Sequence, residues 1–462
     1  PEMKTDTICA VATPPGAGGL GIVRVSGPQV PEICQGIMGR LPEPRLAVLS
    51  HFKSGQGGVI DTGLALYFPA PNSFTGEHVL ELHGHGGIHV LNRVMRRVLE
   101  LGARAARPGE FSERAFLNDK IDLVQAEAIA DLIDSGSDAA ARAAQRSLQG
   151  DFSREVHKLQ ESLTALRVFV EAAIDFPDEE IDFLAESDVV QRVGGALEQL
   201  KTLLRDARQG RLLRDGIVMA IIGRPNAGKS SLLNALSGQE SAIVTEIPGT
   251  TRDVLRESID LDGIPVHVAD TAGIRETDDV VEAEGVRRAR EVLESSDIVL
   301  LVEDASIPSE QHQALEDELP ESVSRIRVAN KADLVDPDTH GRDQERVWIS
   351  AKTGQGMDTL RKRVRAAVGA ADRSEGSFSA RQRHVDALKR AGRHLAAGRS
   401  EMQASLSGEL LAEELRLAKV ALGEISGELL PDDLLGEIFS SFCIGKLPVS
   451  PSFRRAIHQD LQ

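Results

Sequence analysis

The stretch Gly223-Arg-Pro-Asn-Ala-Gly-Lys-Ser230 constrains this chain more than any other part of it. It fits the phosphate-binding pattern G-x-x-x-x-G-K-[ST] and follows the apolar run Ile217 to Ile222, which reads as a buried strand. Glycines let such a loop wrap a phosphate chain with backbone N–H groups, and the following helix turns its positive end toward the anion. In that arrangement Lys229 reaches the outer phosphates and Ser230 offers a hydroxyl to Mg²⁺. The middle of the chain is therefore expected to bind a nucleotide. Eight residues alone leave kinases and ATPases open.

Three further segments, in order, narrow the choice. Asp270-Thr-Ala-Gly273 follows the strand-like Val266-His-Val-Ala and sets a carboxylate at a strand's C-terminal end, where a metal-side ligand belongs; Gly273 can bring its backbone to a γ-phosphate. Asn330-Lys-Ala-Asp333 follows Arg325-Ile-Arg-Val-Ala, and the Asp333 carboxylate can accept both the ring N–H and the exocyclic amine of guanine, a donor pair that adenine lacks. Ser350-Ala-Lys352 follows Val347-Trp-Ile and closes over the base from the other side. Each piece alone is ordinary turn chemistry. Together, in this order, they read as a GTPase domain.

A chain of 462 residues exceeds one hydrophobic core, so two to four domains are expected. The net charge of −18 opposes nonspecific binding to nucleic acid, so any RNA contact has to be local or delegated. One Trp and one Tyr argue against a base-stacking platform. Three distant cysteines, Cys9, Cys34 and Cys443, argue against a disulfide framework or a zinc site. The sequence contains no long apolar run and no secretory signal pattern, so a cytoplasmic protein without membrane contact is expected.

Residues 1–118 mix short β-like runs (Gly21–Val25, Val59-Ile, Leu64–Phe68, Val79–His83) with Gly and Pro punctuation and a helical stretch near 88 to 101. From about 119 the pattern turns helical, with Leu159, Leu163, Leu166, Val170 and Ala173 on one stripe, then Leu197, Leu200 and Leu204. The acidic break Asp175 to Asp182 reads as a solvated loop. Helices return from about 380, with Leu411, Leu415, Ala418 and Leu422 on one face. The fold class expected is multidomain, α/β plus α-helical: an α/β domain over 1–118, a helical domain in two parts (119–216 and 380–446), a doubly wound nucleotide domain inserted over 217–379, and a tail, 447–462, of unknown role. The group His83-Gly-His-Gly-Gly87 lacks acidic or cysteine partners in register and reads as a turn, not a metal site.

The domain order, the loop Gly223 to Ser230, Gly249-Thr-Thr-Arg252, and Phe442-Cys-Ile-Gly-Lys446 together resemble the MnmE (TrmE) family of tRNA-modification GTPases. Thr5 to Gly27 and Arg107 to Leu117 resemble that family's N-terminal signatures, and the likeness runs from residue 3 to 446. Pro1-Glu2 before Met3, and Leu447 to Gln462, depart from it. The resemblance implies a Ras-like GTPase domain that contacts GTP through Asn226, Ala227, Gly228, Lys229, Ser230 and Ser231. It further implies contacts from Thr245, Glu246, Ile247, Pro248, Gly249, Thr250 and Thr251, from Asp270, Thr271, Ala272 and Gly273, and from Asn330, Lys331, Asp333, Ser350, Ala351 and Lys352. Ser230 and Thr251 match Mg²⁺ ligands. Asn226, Thr245, Ile247 and Thr250 match positions that bind a K⁺ ion in the place of an arginine finger. Where a Ras-like protein carries its water-orienting glutamine this chain has Ile274, and Glu282 matches a glutamate that helps to position the water; by itself it would read as one more surface acid.

In the N-terminal domain the resemblance implies a dimer-associated pocket for 5-formyltetrahydrofolate, with Arg24, Glu81 and Lys120 at binding positions and Lys446 nearby. Arg24 reads equally well as half of a structural ion pair. Cys443 corresponds to a cysteine near the pocket, either catalytic or simply a buried free thiol. The function implied is a homodimeric, K⁺-stimulated GTPase working with the flavin- and NADH-using partner MnmG to add an aminomethyl or carboxymethylaminomethyl group to carbon 5 of the wobble uridine of certain tRNAs. Two alternatives stay open. One is an RNA-binding or ribosome-assembly switch of the Era and Der kind, which the acidic helices of this chain disfavour. The other is a folate-dependent one-carbon transferase regulated by GTP.

Overall fold

Alternation along Gly18–Ser26 sets the first layer: Val23 and Val25 are fully buried, whereas Arg24 between them is not. In the computed structural model, which describes residues 6–175, 189–237, 255–261, 264–269, 296–307, 324–336, 345–368, 378–405, 407–428, 432–440 and 442, the chain divides into two compact units. One comprises the described parts of 1–130 and 426–462, the other those of 131–425.

The first unit holds a sheet of strands β1 (Ile8–Val11), β2 (Gly18–Ser26), β3 (Val48–Lys53), β4 (Val59–Phe68), β5 (Val79–Gly86) and β6 (Arg104–Ala105), in the order β3-β4-β5-β2-β1-β6. Helices Val30–Met38 and Ile88–Glu100 lay Ile33, Ile37, Val94 and Val98 onto Val23, Val25, Leu80 and Leu82 of the sheet. Each such side chain contributes roughly 1.5–3 kcal/mol on burial. Cys9 and Cys34 lie in this core as free thiols, and burial pushes both up to about 12, which leaves them protonated and inert. Phe439 and Phe442, at and just beyond the end of helix Asp432–Ser440, join Leu123 and Ala126 in a small cluster that Phe116 flanks.

Two readings of the sequence are corrected here. Val59-Ile and Leu64–Phe68 form one strand, because Gly63 between them is not a break; a Cβ there would meet the His83 carbonyl oxygen at 2.0 Å, so the glycine marks close approach of neighbouring backbones. His83-Gly-His-Gly-Gly87 is likewise not a turn but the end of β5, which runs through Gly86 before helix Ile88–Glu100 begins. The same backbone approach explains it: a Cβ on Gly86 would lie 2.6 Å from the Gly18 carbonyl oxygen.

In the second unit, helix Asp151–Asp175 buries Leu159, Leu163, Leu166 and Val170 on one stripe, and Gly408–Ser426 buries Leu411, Leu415, Ala418 and Leu422. Val189–Asp215 buries Leu197 and Leu200, then Leu203 in preference to the half-buried Leu204. Helix Val189–Asp215 packs antiparallel to Gln382–Ser405: Leu200 lies against Gly392, and Gly194 lies near Arg399. Helices from before and after the insert thus share one packing layer.

The inserted sheet comprises β7 (Ile217–Ile222), β8 (Leu255–Leu261), β9 (Ile264–Ala269), β10 (Ile298–Asp304), β11 (Ser324–Asn330) and β12 (Arg346–Trp348), ordered β12-β11-β10-β7-β9-β8. Every pair is parallel except the edge pair β8–β9. Ile298 through Val302 is buried without alternation, as a strand covered on both faces must be. The chain leaves β7 toward β9 on one side and later returns to β10 on the other, so the carboxyl end of β7 is the topological switch point where such sheets bind ligands.

The chain enters this sheet at Asp215-Gly216 and comes back into described structure at Phe378. One carboxylate ties both places. Asp131, side chain 5% exposed, accepts from Arg214 Nε at 2.7 Å, Arg381 Nη2 at 2.9 Å and Ser379 Oγ at 2.5 Å.

Candidate functional site

The loop after β7 is shaped by two left-handed residues, Asn226 (φ 64°) and Gly228 (φ 90°). Helix Lys229–Ser237 then begins, anchored in the core through Leu232 and Leu236. Its first N–H groups face the loop without intrahelical partners, which makes the position favourable for an anion. The Lys229 ammonium donates to the carbonyls of Gly223 at 2.7 Å and Arg224 at 3.0 Å, which folds the cation over the loop. Ser230 and Ser231 are exposed and Ala227 is buried.

Asn330, at the end of β11 and 2% exposed, joins three loops. Its Nδ2 donates to the Ala227 carbonyl at 3.0 Å, while its Oδ1 accepts from the N–H of Lys331 at 2.8 Å and of Ala351 at 3.1 Å. The phosphate-pattern loop, Asn330–Asp333 and Ser350–Lys352 are thus bound by one side chain. Each such bond contributes about 0.5–1.5 kcal/mol net, and a buried amide left unpaired costs about 1–3 kcal/mol.

Lys331 is also left-handed (φ 63°), and its ammonium sits 2.6 Å from Asp304 Oδ2 at the end of β10. Burial pushes the Asp304 carboxyl up, but hydrogen bonds from Lys331 and Ser306 outweigh it and hold the group below the usual carboxylate range. Asp304 thereby fixes the loop that carries Asp333, which is exposed, as is Lys352; Ser350 is fully buried and accepts from the Thr353 N–H at 3.2 Å. The sequence reading missed Asp304 and the linking role of Asn330. The signal for Asp304 was present, since it ends the apolar run Ile298 to Val302 much as Asp270 ends its own.

Gly228→Ala should damage this arrangement. The added Cβ would stand 2.3 Å from Asn330 Nδ2 at a backbone angle that side chains avoid. We expect nucleotide affinity to fall at least about tenfold through loss of the Ala227–Asn330 bond and about 1–3 kcal/mol of strain. Titration with a fluorescent GTP analogue checks this, and affinity equal to the parent would refute it.

Thr245 to Thr251, Asp270 to Gly273, Glu282, Cys443 and Lys446 lie outside the described residues.

In the first unit, Arg24 and Glu81 are direct cross-strand partners in register. Arg24 Nε and Nη2 reach Glu81 Oε1 at 2.9 and 2.8 Å, and His83 Nε2 lies 3.0 Å from Oε2. The Arg24 guanidinium also sits 5.9 Å from the Phe111 ring centroid. The ion pair that the sequence allowed is therefore made. Lys120 is not brought to this pair and instead donates to the Pro71 carbonyl at 3.0 Å. His85 pairs separately with Asp61 at 2.8 Å, and among the described residues no group of three or more His, Cys, Asp or Glu side chains is arranged to hold a metal.

Burial raises the Glu81 carboxyl, but the hydrogen bond with His83 and the charge of Arg24 outweigh it, so its pKa lies below the ordinary 4.5. A depressed carboxylate contributes stability above its unfolded pKa and loses it as pH falls through the folded one. Glu81→Gln should therefore flatten the dependence of stability on pH below about 4.5. Urea unfolding at a series of pH values tests this. An unchanged acid slope would refute the pairing.

Two family models match the chain: "GTP-binding protein TrmE N-terminus" over residues 7–120 and "MnmE helical domain" over 123–443. A curated tRNA modification GTPase MnmE of Methylococcus capsulatus is 55% identical over 96% of this chain and 99% of its own length. The protein of that name from Stutzerimonas stutzeri is 56% identical over the same shares. A crystal structure of Aquifex aeolicus Era bound to GDP.AlF4⁻ is 25% identical over 38% of this chain and 66% of that one, with a TM-score of 0.26, too low to carry weight. Among the described residues no helix is long and apolar enough to cross a membrane. Matched by a family model over most of its length and by full-length relatives at more than half identity, the chain belongs to the MnmE family.

Proposed function

We propose that this protein is a GTPase of tRNA modification, with its nucleotide held at the carboxyl end of β7. The observation that carries the reading is Asn330, whose amide links the phosphate-pattern loop to the two loops that would face a guanine. Lys229 would take the outer phosphates and the exposed Asp333 the base. Ser230, exposed on the first turn of its helix, suits a Mg²⁺ ion, with Thr251 as the second ligand; the ion would neutralise phosphate charge. Asn226, exposed and held left-handed, suits a K⁺ ion together with oxygens of Thr245, Ile247 and Thr250. Glu282 would help to orient water. Hydrolysis should be much faster in K⁺ than in Na⁺ and should require two nucleotide domains to meet; equal rates in both salts would refute the K⁺ assignment.

The finer chemistry is the one that the family resemblance implies. A homodimer acts with MnmG in the cytoplasm to modify carbon 5 of the wobble uridine, with 5-formyltetrahydrofolate as the one-carbon source. The sheet face bearing Arg24 and Glu81 fits part of a folate: Glu81 Oε2 accepts one bond and keeps a lone pair for an amidine edge, while cations suit a glutamyl tail. Lys120 and Lys446 would supply such cations, and Cys443 would lie near them. GTP hydrolysis would drive closure of the assembly.

Mass spectrometry of tRNA nucleosides tests the whole, using cells that lack this protein and carry either the native chain or Lys229→Ala. Return of the wobble modification with the native chain alone is expected. Wobble nucleosides unaffected by loss of the protein would overturn the proposal.

A further inference from the structure

An acidic chain that acts on tRNA needs a local place for phosphates, and two of its helices depart from the overall charge. Val189–Asp215 carries six Lys and Arg against three acids, and Gln382–Ser405 carries five against two. These are the two helices that pack antiparallel, with Leu200 against Gly392 and Gly194 near Arg399.

Helical spacing aligns their cations. Lys201, Arg205 and Arg208 follow Gly194 at seven, eleven and fourteen residues, which is a single stripe. The guanidinium of Arg399 lies 4.0 Å from the Cβ position of Gly194 and so borders that stripe, while Lys389 and Arg393 flank Gly392 on the facing helix. All six are exposed. Lys201, Arg205 and Lys389 have the acids Glu198, Asp206 and Asp386 at 2.7, 3.3 and 3.5 Å. Arg208, Arg393 and Arg399 have no ion-pair or hydrogen-bond partner among the described residues. From Gly194 to Arg208 the stripe runs about 20 Å at a rise of about 1.5 Å per residue.

We infer that this helix pair is the docking face for the phosphate backbone of tRNA. The inference rests on the tRNA-modification reading and adds a place to it. Charge complementarity selects the occupant: three exposed guanidiniums on one helix pair, without an ion-pair partner among the described residues, on a chain of net charge −18, suit a polyanion whose phosphates each take a planar fork. Few aromatics are needed, because backbone contacts position a nucleic acid without reading its bases.

The test uses the full chain and a fluorescently labelled tRNA transcript, with binding followed by anisotropy between about 50 and 200 mM salt. Replacing Arg208, Arg393 and Arg399 together by Gln should weaken binding at least about tenfold and reduce the slope of log affinity against log salt by about 2–3, three phosphate contacts being lost. GTP hydrolysis should be unchanged, and circular dichroism should show the helices intact. Equal affinity and slope would overturn the inference, as would unchanged tRNA binding with loss of a protein partner. If the native chain binds no tRNA at any salt, the inference fails, while the GTPase reading still stands or falls separately on Lys229.

Discussion

Lys229→Ala is expected to lower GTP hydrolysis by roughly 10²–10³-fold, the usual effect of removing one preorganised group that stabilises transition-state charge. The lysine is already in place, since its ammonium is held 2.7 and 3.0 Å from the carbonyls of Gly223 and Arg224. Those carbonyls concentrate negative potential under the cation and restrict its rotamers, so little ordering remains when phosphate oxygens arrive. Alanine removes the charge and leaves the two carbonyls to water on an open loop, so the fold should be little affected. Lys229→Arg separates charge from shape: a planar guanidinium keeps the charge but does not reproduce a compact ammonium. We expect it to recover only a small part of the rate. Multiple-turnover phosphate release with saturating GTP measures both variants. A rate for Lys229→Ala within a fewfold of the parent would remove the loop from the chemistry.

The contrast with Asn330 shows what the sequence revealed and what it did not. The phosphate-pattern loop was legible because its chemistry demands residue types at fixed spacing, and β7, β9 and β11 were legible as apolar runs bounded by those motifs. The helical stripes were legible from period alone; Leu203 replacing Leu204 shows the limit, since a one-residue rotation of a helix depends on its neighbours. Asn330 looked like part of a guanine motif, but its amide is spent on Ala227, Lys331 and Ala351, which are distant in sequence or invisible as backbone. The glycines at 63 and 86 misled for a related reason: a glycine at a turn and a glycine under a crossing backbone are the same letter. The basic helix pair was hidden by averaging, because a net charge of −18 says nothing of where the cations gather.

Asp131→Ala is expected to destabilise the helical part by about 2–4 kcal/mol, somewhat below the ~3–5 kcal/mol of a fully buried pair because Arg214 is a third exposed. The carboxylate receives Arg214 just before β7, Ser379 just after the insert, and Arg381 at the start of the returning helix. Without it, Arg214 and Arg381 lose the carboxylate they share, at a site where Asp131 is 5% and Arg381 16% exposed; Arg214 still pairs with Asp215, but the Ser379 hydroxyl loses its acceptor. Asp131→Asn should cost less, since an amide still accepts from arginine, but it cannot balance two charges. The single tryptophan separates local from global effects. Trp348 lies on β12 of the inserted sheet, so its fluorescence reports that sheet, whereas far-ultraviolet circular dichroism is dominated by the helices. The core of the sheet runs from Leu212, in the last turn of helix Val189–Asp215, through Val364 and does not include Asp131. In urea, Asp131→Ala should therefore move the helical transition to lower denaturant while the Trp348 transition shifts less. Coincident and unshifted transitions would show that the carboxylate is dispensable. Equal large shifts of both would show that the ends of the insert and its core unfold as one, with Asp131 the point through which they are coupled.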